Sequence, residues 1–221
     1  MKKQSGFTLI ELAIVLVIIG LLLGGVLKGQ ELINSAKVKN MASDFRNIQV
    51  YIYAYQDKYK ALPGDDAKAD AHLGSACITS TSKTCAANTG SHGNGVIEGN
   101  WNDTVKEDSE AFRFWQHVRM AGLAPGATSI SDANYMPTNA DGGQIGVESL
   151  SQLATITGMS GAFVICSDAI LGKFAKQLDL MLDDGETSTG SVRAILSGTK
   201  GAGETTAKID DSKTYTVCMS F

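Results

Sequence analysis

Gly6-Phe7-Thr8-Leu9-Ile10-Glu11 opens an apolar run, and the sixteen residues that follow it, 12–27, carry no charge. Lys2 and Lys3 stand before this stretch, and Lys28 is the first charged residue after it. At about 1.5 Å rise per residue, 7–27 make roughly 31 Å of helix, the thickness of a bilayer core. The stretch therefore reads as one membrane-spanning helix. Glu11 is the anomaly within it. An ionised carboxylate in hydrocarbon costs roughly 2.5–3.5 kcal/mol on insertion scales, so such a group implies a function and a partner for its charge. No second spanning segment follows, since other apolar runs, such as 161–166, are far too short.

Lys2 and Lys3 ahead of the helix keep the N-terminus cytoplasmic by the positive-inside rule and send the rest of the chain across the membrane. The cysteines agree with an oxidising destination. Cys77, Cys85, Cys166 and Cys218 are an even set, open to three pairings. The favoured pairs are Cys77 with Cys85, closing a small Thr/Ser-rich loop, and Cys166 with Cys218, joining two candidate strands. A cleaved secretory signal would show a shorter apolar core followed by small residues at the cut. Here the run is longer and holds an acid near its start.

Beyond Lys28 the helical pattern continues with a different purpose. Val38, Met41, Phe45, Ile48, Ile52, Tyr55 and Tyr59 recur at steps of three and four, with Lys37, Lys39, Asp44, Arg46, Asn47 and Gln49 between them. That is the seam of a helix packed along one side. Pro63-Gly64 ends it. A small-residue loop region beginning at Pro63-Gly64-Asp65-Asp66 and turning at Gly93-Asn94-Gly95 reads as exposed surface. A second helix follows, capped by Asp108 or Ser109, with Ala111, Phe112, Trp115 and Val118 on one face and an end at Gly122. Strands are expected at 144–147, 161–166, 191–196 and 213–219. Between the second and third, Ser167 is expected to cap a helix with Ile170, Leu171, Phe174, Leu178 and Met181 on one side. The fold class is α+β: a long N-terminal helix packed on a C-terminal globular domain with an antiparallel β-sheet.

Enzymatic motifs are missing. There is no G-x-S-x-G, no H-E-x-x-H and no phosphate-binding glycine-lysine loop, because Ser167 stands where such a loop before Gly172-Lys173 needs glycine. His72, His92 and His117 lie far apart, without the cysteine spacing of a zinc site. A net charge of −4 and the lack of basic clusters disfavour nucleic acid as a general ligand.

Lys2-Lys3-Gln4-Ser5-Gly6-Phe7-Thr8-Leu9-Ile10-Glu11-Leu12 resembles the class III leader and N-terminal segment of type IV pilins and of the pilin-like pseudopilins of type II secretion. The resemblance implies a leader of residues 1–6, a helix over 7–60 whose first part, 7–27, is transmembrane or filament core, and a globular domain over 61–221. A prepilin peptidase would cut between Gly6 and Phe7 and methylate the new amino group of Phe7. Glu11 would then neutralise the Phe7 amino terminus of a neighbouring copy, so that in a single chain its carboxylate is expected to stand unsatisfied. The implied partners are identical or homologous subunits, the peptidase, an inner-membrane assembly platform and the membrane itself. The protein would start as a single-pass inner-membrane protein of a bacterium and end in an extracellular pilus or a periplasmic pseudopilus.

The implied function is that of a structural subunit of a type IV pilus, serving adhesion, twitching motility or DNA uptake. A pseudopilin is the alternative, and a membrane-anchored binding domain that never polymerises is a third reading. No cofactor is required. Major pseudopilins can bind calcium in acidic loops, and Asp65, Asp66, Asp183 and Asp184 are the oxygen donors that could do so here. Leu182-Asp183-Asp184-Gly185-Glu186, running on to Gly190-Ser191-Val192-Arg193-Ala194, resembles a segment of some pilin-like proteins, and physically it is an acidic turn leading into a strand.

Overall fold

A computed structural model describes residues 8–74, 85, 91–103, 109–152 and 155–221. Helix α1 runs Leu9–Tyr59, and the chain divides at Lys37 into a first unit and a second unit, Val38–Phe221. In the first unit the side chains from Leu9 to Leu27 are exposed, and α1 passes without a break through Gly20, Gly24, Gly25 and Gly29. The second unit contains the rest of α1, then α2 (Ala69–Leu73), α3 (Glu110–Met120), β1 (Ile145–Ser149), β2 (Ile156–Thr157), β3 (Phe163–Leu171), α4 (Gly172–Leu182), β4 (Val192–Leu196), β5 (Gly201–Ala202) and β6 (Thr214–Ser220). Two single turns of 3-10 helix, Leu150–Gln152 and Thr206–Lys208, lie between strands.

The sheet order is β1-β3-β6-β4, with every neighbouring pair antiparallel, while β2 and β5 form a small parallel pair. Alternation along the strands sends side chains to two faces. Ile165 of β3 and Val217 and Met219 of β6 join the buried seam of α1, from Val38 through Ile52, together with Phe112 and Trp115 of α3 and Phe174 and Leu178 of α4. Val164, Cys166 and Cys218 point the other way, into a smaller core closed by Trp101, Ile156 and Ile195. Cys166 and Cys218 sit directly opposite each other in the β3–β6 ladder and form a disulfide. Cys85 is also disulfide-bonded, and Cys77, its favoured partner from sequence, lies outside the described residues.

Helix α3 starts where the cap motif places it, with the Ser109 hydroxyl accepting from the Phe112 amide. It is not half-exposed, however. Every residue from Glu110 to Arg119 is buried, so each polar side chain needs an internal partner. Arg119 donates to the carbonyls of Pro125, Ala127 and Tyr135, and Gln116 donates to that of Thr128. His117 accepts from the Gly64 amide at Nδ1 (2.9 Å) and meets the Cys85 carbonyl at Nε2 (3.0 Å). Burial pushes its pKa down to about 4, which keeps the ring neutral and able to serve both bonds.

Two expectations are overturned. Ser167 does not cap a helix; it lies in β3, paired with Ile145 and Val217, and the strand continues through Ile170 and Leu171. Ile170, Phe174 and Leu178 have helical spacing, so the sequence alone points to an earlier helix start. A register shift between Ser167 and Ile170 lets β3 go on. There the Asp168 carboxylate accepts from the hydroxyls of Ser197 and Thr216, both at 2.7 Å, and Asn139 donates to Ser167 Oγ and to the Asp168 carbonyl. The helix begins at Gly172, where the Asp210 carbonyl would stand 2.1 Å from any added Cβ. The loop after Pro63 is not all surface either. Asp65 and Asp66 are buried, and their oxygens serve as acceptors for turn amides and for the Tyr55 hydroxyl of α1.

Glu148 in β1 is 1% exposed, and its Oε2 accepts from the Trp101 amide at 2.6 Å. Burial pushes its carboxyl up to about 7, with the Trp101 amide pulling it back and Asp103 pushing it further up. The folded chain thus keeps a proton on Glu148 that the unfolded chain, titrating near 4.5, has already lost. Stability from this group is fully present below about pH 4.5 and declines as pH rises towards 7. Glu148→Gln should remove that slope, so the variant gains on the parent by roughly 1–3 kcal/mol between pH 5 and 8 in urea titrations. A constant gap across pH would exclude a raised carboxyl. Replacing Cys166 and Cys218 together by alanine should lower the unfolding free energy by about 2–4 kcal/mol, as expected for a cross-link closing a loop of this length. An unchanged urea midpoint would mean that the bridge constrains nothing.

Candidate processing and assembly site

Gly6 and Phe7, the expected cut, lie outside the described residues. The first described residue, Thr8, precedes α1, and Glu11 is in its first turn. The two are bonded to each other. Glu11 Oε2 accepts from the Thr8 amide and from the Thr8 hydroxyl, each at 2.8 Å, and the Glu11 amide donates to Thr8 Oγ1 at 3.3 Å. This is a capping box, in which Thr and Glu three apart satisfy orphan amides at a helix start. The expectation that Glu11 stands unsatisfied in one chain is therefore wrong. A carboxylate near the first turn also meets the positive end of the helix dipole.

The cap occupies one oxygen. Among the described residues, nothing donates to Glu11 Oε1. The group can thus keep its own helix start and still offer an oxygen to a cation. Around it the surface is apolar: Leu9, Ile10, Leu12, Ile14, Val15 and Leu16 are all exposed. Such a stripe has no place in water and calls for lipid or other helices. The first charges after it, Lys28 and Glu31, pair with each other at 2.6 Å on the exposed helix, where an ion pair contributes little.

The acidic candidates separate into two groups. Asp65 accepts from the amides of Gly93, Asn94 and Gly95 and so fastens that turn. Asp66 accepts from the Tyr55 hydroxyl at 2.8 Å and the Lys68 amide at 2.9 Å, and His72 Nδ1 lies 2.7 Å away. Both are committed to holding protein groups. Asp183 and Asp184 follow α4, and the fold brings Asp179 of α4 beside them. Sequence reading missed Asp179. Its position one helical turn before Asp183 was the available signal.

Residues 1–27 match the family model described as the prokaryotic N-terminal methylation motif. No curated protein and no solved structure matches the chain. The motif points to a structural protein that is processed by prepilin peptidase and assembled into polymers. With a helix long and apolar enough to cross a membrane, it supports membrane anchoring before assembly. The methylation motif over residues 1–27, followed by an apolar N-terminal helix and an antiparallel sheet domain, supports a type IV pilin-like protein, in the broad sense that includes pseudopilins.

Proposed function

We propose that the chain is a structural subunit of a type IV pilus, cut between Gly6 and Phe7, methylated on Phe7, and polymerised through α1. The observation that carries this reading is the methylation motif over 1–27 joined to an exposed apolar helix with one acid in its first turn. In the filament the Phe7 ammonium of one copy meets Glu11 of the next. The geometry supports that pairing, since Oε2 is held by Thr8 and Oε1 faces no donor among the described residues. Within a core of apolar helices the pair is tolerable together, while loss of one partner leaves a buried charge costing about 3–5 kcal/mol. The second unit, carrying the disulfide Cys166–Cys218, is displayed outside, where an oxidised bridge persists. Such filaments serve adhesion, twitching motility or DNA uptake. The motif alone is shared with pseudopilins, whose short filaments stay in the periplasm.

Glu11→Gln separates the two roles of the acid. Its amide oxygen can still accept from Thr8, so the helix start survives, while the charge is gone. Sheared filaments should fall at least tenfold in Glu11→Gln and in Glu11→Ala, as a cost of more than about 1.4 kcal/mol per interface requires. Normal filament yield from Glu11→Gln would overturn the charge role. Mass spectrometry of the native protein should find methylated Phe7 as the first residue, and an intact Met1 would overturn the whole reading. Recovery of the protein in long sheared fibres is the expected result, whereas confinement to the cell fraction would assign it to a periplasmic pseudopilus.

A further inference from the structure

We propose that His117 is an acid-opened latch: its buried ring docks the turn after α1 onto α3, and a proton taken up there releases the turn while the sheet stays folded. The device lies within the second unit and is independent of which filament the chain builds. His117 is 0% exposed, its Nδ1 accepts from the Gly64 amide at 2.9 Å, and its Nε2 meets the Cys85 carbonyl at 3.0 Å. A carbonyl only accepts, so Nε2 carries the hydrogen and Nδ1 the lone pair. A second proton has to go on Nδ1, where it would point at the Gly64 N–H. The bond to Gly64 therefore exists only with the neutral ring.

The turn at 61–68 depends on that bond because little else of its docking is apolar. Gly64 stands hard against α3, with φ at +94° and the Glu110 carbonyl oxygen 2.5 Å from any added Cβ. Behind the turn, Ala69 of α2 and Cys85 form a small cluster with Leu73 and Met120, separate from the main core. A segment seated on its own small cluster can open without unfolding the rest. The remaining ties are polar, Asp65 to the 93–95 turn and Asp66 to Tyr55 and His72. Acid spares the other two histidine contacts. His72 Nδ1 meets Asp66 Oδ2 at 2.7 Å and His92 Nδ1 meets Glu110 Oε1 at 2.6 Å, and a carboxylate accepts from a neutral or a charged ring alike. His117 is the histidine whose bond a proton breaks.

Charges reach this ring from three sides. Asp66 on the turn favours the proton, while Arg113, one turn earlier on α3, and His92 oppose it. From α1 the ring faces Tyr55, stacked with centroids 6.1 Å apart. Burial outweighs all of these and holds the ring down to about 4, against an ordinary 6.5. The released ring thus takes a proton from about pH 6.5 and the docked ring only near 4. The docked state is fully favoured above that window and loses about tenfold in population per pH unit as pH falls through it.

The test is hydrogen exchange of the full chain in detergent micelles at about pH 6.5 and about pH 4.5, read by mass spectrometry and corrected for the intrinsic rate at each pH. Protection of 62–73 should fall at least tenfold between the two, while that of β4 does not fall in step. In His117→Asn the side-chain oxygen can still accept from Gly64 but does not titrate, so the fall should be absent. His72→Asn and His92→Asn should keep it. The latch is overturned by equal protection of 62–73 at both pH values, by a matching fall in β4, by a His117→Asn chain that responds as the parent does, or by loss of the response in His72→Asn or His92→Asn. The comparison of 62–73 with β4 in the parent decides even if His117→Asn fails to fold.

Discussion

One helix has to satisfy two environments, and most of the architecture follows from that. Along α1, Val38, Met41, Phe45 and Ile52 are buried against the sheet, while Leu9, Leu16 and Leu21 are exposed. Both stretches are apolar, so hydrophobicity alone does not separate them. What separates them is pattern. The seam after Lys37 alternates with charged residues and covers one stripe, as a helix lying on a single surface requires. The run over 12–27 is apolar all round, as a helix surrounded by lipid or by other helices requires.

The second unit fixes its polar interior with few free ends. α3 is enclosed by the segments before and after it, and its arginines, glutamine and histidine are spent on turn carbonyls, amides and one another. Asp65 and Asp66 do the converse, accepting from turn amides and from Tyr55. These bonds substitute for regular structure in the long segment between α1 and β1. A buried acceptor without a donor costs far more than a made bond contributes, so the same accounting makes Asp179 stand out. It is acidic, enclosed and faced mainly by other acids.

What the sequence revealed depended on how local the cause was. The seam, the Ser109 cap and the four main strands were legible because periodicity and capping act over a few residues. The end of β3 was not, since Ile170, Phe174 and Leu178 satisfy a helical period while Asn139, Ser197 and Thr216 hold the strand extended from a distance. The burial of Asp65 and Asp66 was illegible for the same reason, their donors lying on turns and helices elsewhere in the chain. At the site, Glu11 was conspicuous as a charge among apolar residues. The capping box with Thr8 is equally present in the sequence, three residues apart, but a lone charge in an apolar run points first to the membrane.

That second role changes how the acid is tolerated. A carboxylate held by two Thr8 donors enters the apolar layer with part of its desolvation already offset, on the side of the helix start where the dipole favours it. Among the described residues nothing compensates the charge or donates to Oε1, so a cation is still favoured at that oxygen. Because Thr8 and Glu11 are fixed to each other, that oxygen has a defined direction rather than the freedom of an extended glutamate. An amino terminus arriving from another copy would find an acceptor already oriented, with less side-chain entropy left to lose on pairing.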